Sequence, residues 1–195
     1  MSVSNNTVKV YPDRGWGFSE QGYIVLGTLL VIAIVVIAGW KLMHRKDTAV
    51  EVTSLQTMLS NGVALKGRNG YDYSSGASMT GILIQRDGAP SGYTVHGTPS
   101  SGTATLTNSY GGQVVIAPVA VNGYNNAFSV TTQSLPQSAC IDVATSMNSS
   151  GTSNTLTINS TDLSNGAASS EAIAQACTAD SGRTGNNTIV VTHNG

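Results

Sequence analysis

Glu20 is the side chain whose position first asks for chemistry. It directly precedes Gln21–Trp40, QGYIVLGTLLVIAIVVIAGW, a run of 20 residues without a charge, and it follows a Gly15-Trp16 junction by four residues. A carboxylate at the head of an apolar run is costly unless it is paired or reaches water. The remaining reactive side chains are few. Cys140 and Cys177 are the two cysteines, and an even count in a chain bearing an export segment suggests one disulfide, with two buried free thiols as the plainer alternative. His44, His96 and His193 are scattered and match no metal-ligand spacing, so no metal and no cofactor is expected. Gly111-Gly112 precedes no helical pattern, and the Ser-x-x-Lys and Gly-x-Ser-x-Gly patterns are missing. No catalytic residue is expected, and the chain does not read as an enzyme.

The element that must hold Glu20 is a long helix. At 1.5 Å per residue the apolar run spans about 30 Å, the thickness of a bilayer's hydrocarbon core. Trp16 and Trp40, the only two tryptophans, stand near its ends, where such rings favour the membrane–water boundary. The run is too long for an ordinary secretory signal and is followed by Lys41, His44, Arg45 and Lys46 instead of a small-residue cleavage site. An ordinary membrane anchor with a snorkelling Glu20 is the stronger rival. Beyond the run, Ala49, Val52, Leu55, Leu59 and Val63 recur at spacings of three and four, and no proline falls between Pro12 and Pro90. One helix is expected from Phe18 to Leu65, apolar all round in its first half and amphipathic in its second. Lys66-Gly67-Arg68-Asn69-Gly70 supplies its stop.

The elements carrying the cysteines lie further on. Residues 70–112 read as a long loop with short strands or helical turns. Strands are expected at Gln113–Ala117, Ala127–Thr132, Thr155–Asn159 and Thr188–Thr192. One short helix should come after Pro136 with Cys140, Val143, Ala144 and Met147 on one face; another should begin near Ser170-Glu171 and carry Ile173 and Cys177. Residues 148–154 read as a mobile loop. Tyr71, Tyr73, Tyr93, Tyr110 and Tyr124 are expected mainly to pack the loop region onto the helix. The fold class is α+β, a long N-terminal helix laid on a small antiparallel sheet.

Composition narrows the setting. Charged residues make up 10% of 195 residues and the net charge is −1, which suits an extracellular surface and gives nucleic acid no footprint. Six of the nine basic residues fall in 1–66, whereas 67–195 hold Arg68, Arg86 and Arg183 against six acids.

Residues 12–22, PDRG-WGFSEQG, resemble the processing site of type IV prepilins, in which a polar leader ends in Gly and Glu is the fifth mature residue. A Trp as first mature residue and a 15-residue leader are similar to type IVb pilins, most of all the thin-pilus major pilins of IncI-type conjugative plasmids. The stretch Asn126–Cys140 and the stretch from Ala176-Cys177 through Asn187–Thr192 resemble the two cysteine-bearing regions of the same family. Residues 70–125 match only loosely.

The resemblance implies a leader 1–15 removed by a prepilin peptidase between Gly15 and Trp16. It implies a membrane-spanning, filament-core helix over 16–40, an amphipathic helical half over 41–66, and a head over 67–195, divided into 70–125 and 126–195. It implies a Cys140–Cys177 disulfide. Cleavage would create an α-amine on Trp16, positive at neutral pH, able to pair with Glu20 of its own or a neighbouring subunit. The partners implied are further copies of the chain, the prepilin peptidase and assembly machinery, the inner membrane before assembly, and a recipient or host cell surface afterwards. The implied role is the major subunit of a filament for conjugative mating or adhesion. A minor pilin or secretion pseudopilin, or a membrane-anchored periplasmic binding module, are the alternatives. Lys41, Arg45 and Lys46 conflict with this orientation by the positive-inside tendency, while Lys9 and Arg14 support it. Any loss of helicity in a filament is expected between Gly27 and Gly39, each of which weakens a helix by about 1 kcal/mol relative to Ala.

Overall fold

Unbroken helical spacing without proline yields a single 43-residue helix, α1, Gln21–Val63. The computed structural model describes residues 21–164, 168–182 and 185–194, the side chains of 21–27, 37, 38 and 40–45 excepted. The chain divides into two compact units, Met1–Leu42 and Met43–Gly195. In the single chain α1 runs through Gly27 and Gly39 without a break. It ends in a tight turn in which Gly67 and Gly70 exchange backbone hydrogen bonds, where the Gly-Arg-Asn-Gly stop is expected.

In the second unit, α2 (Gly76–Gln85), β1 (Thr94–His96), a 3-10 turn (Pro99–Ser101) and β2 (Thr105–Thr107) succeed α1. Then come β3 (Gln113–Val121), β4 (Tyr124–Leu135), α3 (Gln137–Ser150), β5 (Thr155–Ile158), β6 (Thr161–Asp162), α4 (Ser170–Ala176) and β7 (Asn187–Asn194). The strands form one antiparallel sheet in the order β1-β2-β3-β4-β7-β5-β6. β7, which comes after both of its neighbours in the chain, is therefore interior, paired with β4 along one edge and β5 along the other.

The four expected strands are all present, three of them longer than their apolar cores. The expected loop over 70–112 instead contains the ten-residue helix α2. Ser75 caps it by accepting from the Ser78 amide, and Met79, Leu83 and Ile84 are buried. Thr80 ties it to the sheet, accepting from the Ile116 amide at 3.0 Å while donating to the Gly76 carbonyl. The expected mobile loop is in part the last turn of α3, since residues 148–150 are helical. The next residues, 151–154, are tethered to β7: the Thr152 carbonyl meets His193 Nδ1 at 2.8 Å, and Asn154 accepts from the Asn194 amide.

The amphipathic half of α1 buries a stripe rotated from the expected one. Leu55 and Leu59 are buried as expected and Val52 packs at the margin, but Ala49 and Val63 are exposed. Glu51, Ser54 and Met58 take their places inside. The rotation reflects what the sheet offers: hydroxyl donors for Glu51, and a Phe128 ring that needs a gap in the helix surface. Gly62 supplies that gap. A Cβ there would stand 2.5 Å from the Phe128 ring and 2.8 Å from Ile116 Cδ1. Gly62→Val is expected to lower stability by about 1–3 kcal/mol through overpacking. It would be read as a lower urea midpoint at unchanged slope; an unchanged midpoint would show that the helix can lift without cost.

Candidate functional site

Two surfaces carry the chemistry. The first is the described stretch of the first unit. Leu29, Leu30, Val31, Ile32, Ile34, Val35 and Val36 are each 56–63% exposed. Aliphatics exposed on every face of a helix differ from an ordinary surface helix, which hides one stripe. At roughly 1.5–3 kcal/mol for burying each such side chain, the segment has a large free energy to gain from any apolar cover. Its backbone polar groups are already paired within the helix, so it can enter an apolar medium without breaking hydrogen bonds. Among the described residues no helix is long and apolar enough to cross a membrane. Gly15, Trp16 and Glu20, the expected processing and assembly residues, lie outside the described residues.

The second surface is the end of the head that the cysteines tie together. Cys140 in the first turns of α3 and Cys177 at the end of α4 are disulfide-bonded, with Cα atoms 6.0 Å apart, and both are buried. The plainer alternative of two free thiols is thereby excluded. The bond sits in a dense polar frame. Asn187, fully buried, accepts from Thr178 and Asn159 and donates to the Leu135 and Thr178 carbonyls. Asp180 accepts from the Gln137 amide at 2.7 Å, which places a carboxylate at the positive end of α3.

The two histidines whose side chains are described have separate partners. His96 meets Thr107 Oγ1 and His193 lies against the Phe128 ring, while the His44 side chain lies outside the described residues. Among the described residues no group of three or more His, Cys, Asp or Glu side chains could hold a metal.

Four of the five singled-out tyrosines serve packing. Tyr71 stacks edge-on against Phe128 at 5.1 Å, Tyr73 donates to the Leu65 carbonyl, Tyr110 bonds Thr48, and Tyr93 reaches Glu51. Tyr124, at the tip of the β3–β4 hairpin, is instead 70% exposed.

Sequence reasoning missed Glu51. Its Oε1 accepts from Tyr93 Oη at 3.0 Å and from Thr132 Oγ1 at 2.6 Å. Burial pushes its carboxyl above the usual range, with the two hydroxyl donors working the other way. Burial, and then the neighbouring Glu51, holds the Tyr93 phenol well above its ordinary value. A helical spacing of 51-55-58-62 was the available signal, since those four positions share one face.

This geometry has counterparts. The family model described as "PilS N terminal" matches residues 45–194. A crystal structure of a type IVb pilin from Salmonella typhi is similar at 45% identity and a TM-score of 0.66, covering 75% of this chain and 99% of that one. The solution NMR structure of a type IVb pilin, PilS, from Salmonella typhi is also 45% identical, with a TM-score of 0.54 and coverage of 76% and 97%. No curated protein matches.

Proposed function

We propose, for a chain that belongs to the PilS N-terminal family and is a type IVb pilin, that it is the major subunit of an extracellular filament whose core is its own apolar helix. The observation that carries this reading is the all-round exposure of Leu29–Val36. Lipid satisfies such a surface before assembly, and the same helix of neighbouring copies satisfies it afterwards. The membrane-spanning precursor rests on the uncharged run Gln21–Trp40 together with this exposure.

In this reading a prepilin peptidase cuts after Gly15. A residue without a side chain lets the backbone lie extended in a cleft. The new amine on Trp16 neutralises Glu20, and the assembly machinery draws the subunit out of the inner membrane. The low charge of the head and its buried disulfide suit exposure outside the cell. The filament joins cells, in conjugative mating of the kind served by IncI-type thin pili or in adhesion to a host surface.

The test is mass spectrometry of protein sheared from the cell surface. Fibres whose principal protein begins at Trp16 are expected. A chain that still carries residues 1–15, or that is absent from fibres, would overturn the reading in favour of a membrane-anchored module. A correctly cut chain present only in trace amounts would make it a minor pilin or pseudopilin.

A further inference from the structure

The head contains a carboxyl that neither the apolar segment nor the disulfide uses. Glu51 has none of its surface exposed. Both donors that reach it, Tyr93 Oη and Thr132 Oγ1, end on Oε1, while Oε2 is buried with no hydrogen-bond partner. A carboxylate spreads its charge over two oxygens and needs donors on both when dry, whereas a neutral acid has one carbonyl oxygen that accepts and one uncharged O–H that donates. Two donors on Oε1 and no partner on Oε2 favours the neutral acid, which leaves one uncharged O–H without an acceptor where the anion would leave a charged oxygen without a donor.

The surroundings favour the same form. Tyr93 faces Glu51 from the α2–β1 segment and Tyr110 from the β2–β3 turn. Asp47 of α1 and Asp142 of α3 stand close enough to act on Tyr110 along with Glu51. β4 contributes Thr132, which accepts from Asn108 Nδ2 at 2.9 Å, so its own proton is free for Glu51. Lys46, the described cation closest to Glu51 in sequence, is exposed. Among the described residues, the groups that act on this cluster are thus acidic or neutral.

The segment that Glu51 holds is built to come close. A Cβ at Gly92 would lie 2.4 Å from Ser54 Oγ and 2.5 Å from Val50 Cγ1, so only glycine lets this backbone rest on α1 and deliver Tyr93 to the carboxyl. We propose that Glu51 is a proton-operated clasp: neutral, it fastens residues 91–93 to α1 and β4; ionised, it loosens that segment from the helix. The device is independent of whether the chain polymerises.

The raised carboxyl sets the sign of the pH dependence. Its folded form holds the proton more tightly than the unfolded chain, whose ordinary value is 4.5. The contribution to stability is therefore complete below that value and is lost as pH climbs through the raised folded value.

Two measurements on the full chain in detergent micelles test this. In the first, glutamate is labelled with carbon-13 at the carboxyl, and the resonance missing from Glu51→Gln is titrated; it should move above the ordinary carboxylate range. In the second, exchange of the Tyr93 amide, which donates to the Pro90 carbonyl at 3.1 Å, is monitored across the pH range in which that resonance titrates. After correction for intrinsic exchange, protection there should fall at least several-fold in the natural chain and stay level in Glu51→Gln, while β4 remains protected in both. A resonance titrating in the ordinary range would overturn the clasp, as would equal loss of protection in the natural chain and the variant. The titration stands if the variant folds poorly, because Tyr93→Phe then identifies the same resonance by shifting it further upward.

Discussion

Cells producing the Glu20→Ala chain are expected to cut the precursor normally and yet shed at most about a hundredth of the ordinary quantity of filament. In the proposed filament the Trp16 ammonium is buried with Glu20, and removing one member of a buried ion pair typically costs about 3–5 kcal/mol. At about 1.4 kcal/mol per factor of ten, that is a loss of about two to three and a half orders of magnitude per docking step. Quantifying sheared fibres beside the processed subunit in the membrane checks it. Ordinary fibre yield from Glu20→Ala cells would remove the carboxylate from the assembly step, while an uncut precursor would place its role in processing instead.

The apolar segment cannot do this work by itself. The seven large aliphatics between Leu29 and Val36, each somewhat over half exposed, offer about 6–13 kcal/mol of further burial at ordinary coefficients, a substantial hold on a subunit among its neighbours. Yet that attraction is non-directional. A helix greasy on all sides can slide or rotate against an equally greasy neighbour with little change in buried area. A charge pair is satisfied at one axial position only. Affinity and register are thus assigned to different residues, which is why a single carboxylate carries so large an expected effect.

The sequence was most informative where one physical rule acted alone. An uncharged run without proline had to be helix, and α1 is. The apolar-alternating runs around Val114–Ile116, Phe128–Val130, Leu156–Ile158 and Ile189–Val191 had to be strands, and their inward residues are buried. The face 140-143-144-147 of α3 is buried as its spacing required. Legibility failed where two rules competed. In α2 the glycines at 76 and 81 and the β-branched Thr80, Ile82 and Ile84 argue locally against helix; the cap at Ser75 and packing on β3 override them. On α1 a charged side chain at position 51 masks the true buried stripe, because its burial depends on Tyr93 and Thr132, which lie 42 and 81 residues away. The two residues of β6 are too short to leave a periodic signal at all. Gly15, Trp16 and Glu20 lie outside the described residues, so the processing and docking roles proposed for them rest on their spacing and on the family resemblance.

Replacing both cysteines, as Cys140→Ala with Cys177→Ala, is expected to lower the head's stability by about 3–4 kcal/mol on the chain-entropy account of a closed loop, a large part of the roughly 5–15 kcal/mol that a typical domain possesses. The topology explains why so much rests on this loop. β7 enters the sheet between β4 and β5, and it comes after both in the chain, so the joining of β4 to β5 awaits residues 187–194. The disulfide holds the chain leaving α4 against α3 before that strand is placed, and so shortens the search for its slot. Asn187 then receives Thr178 and Asn159, and Asp180 caps α3. These polar contacts fix the direction of the strand but cannot restrict the unfolded chain as a covalent link does. Urea unfolding of the natural and double-variant chains, with the natural chain also measured after reduction, gives the number, and refolding rates give the kinetic part. The reduced and double-variant chains should agree and both should refold more slowly. Equal stability in all three would mean that the Asn187 frame alone holds the closing strand.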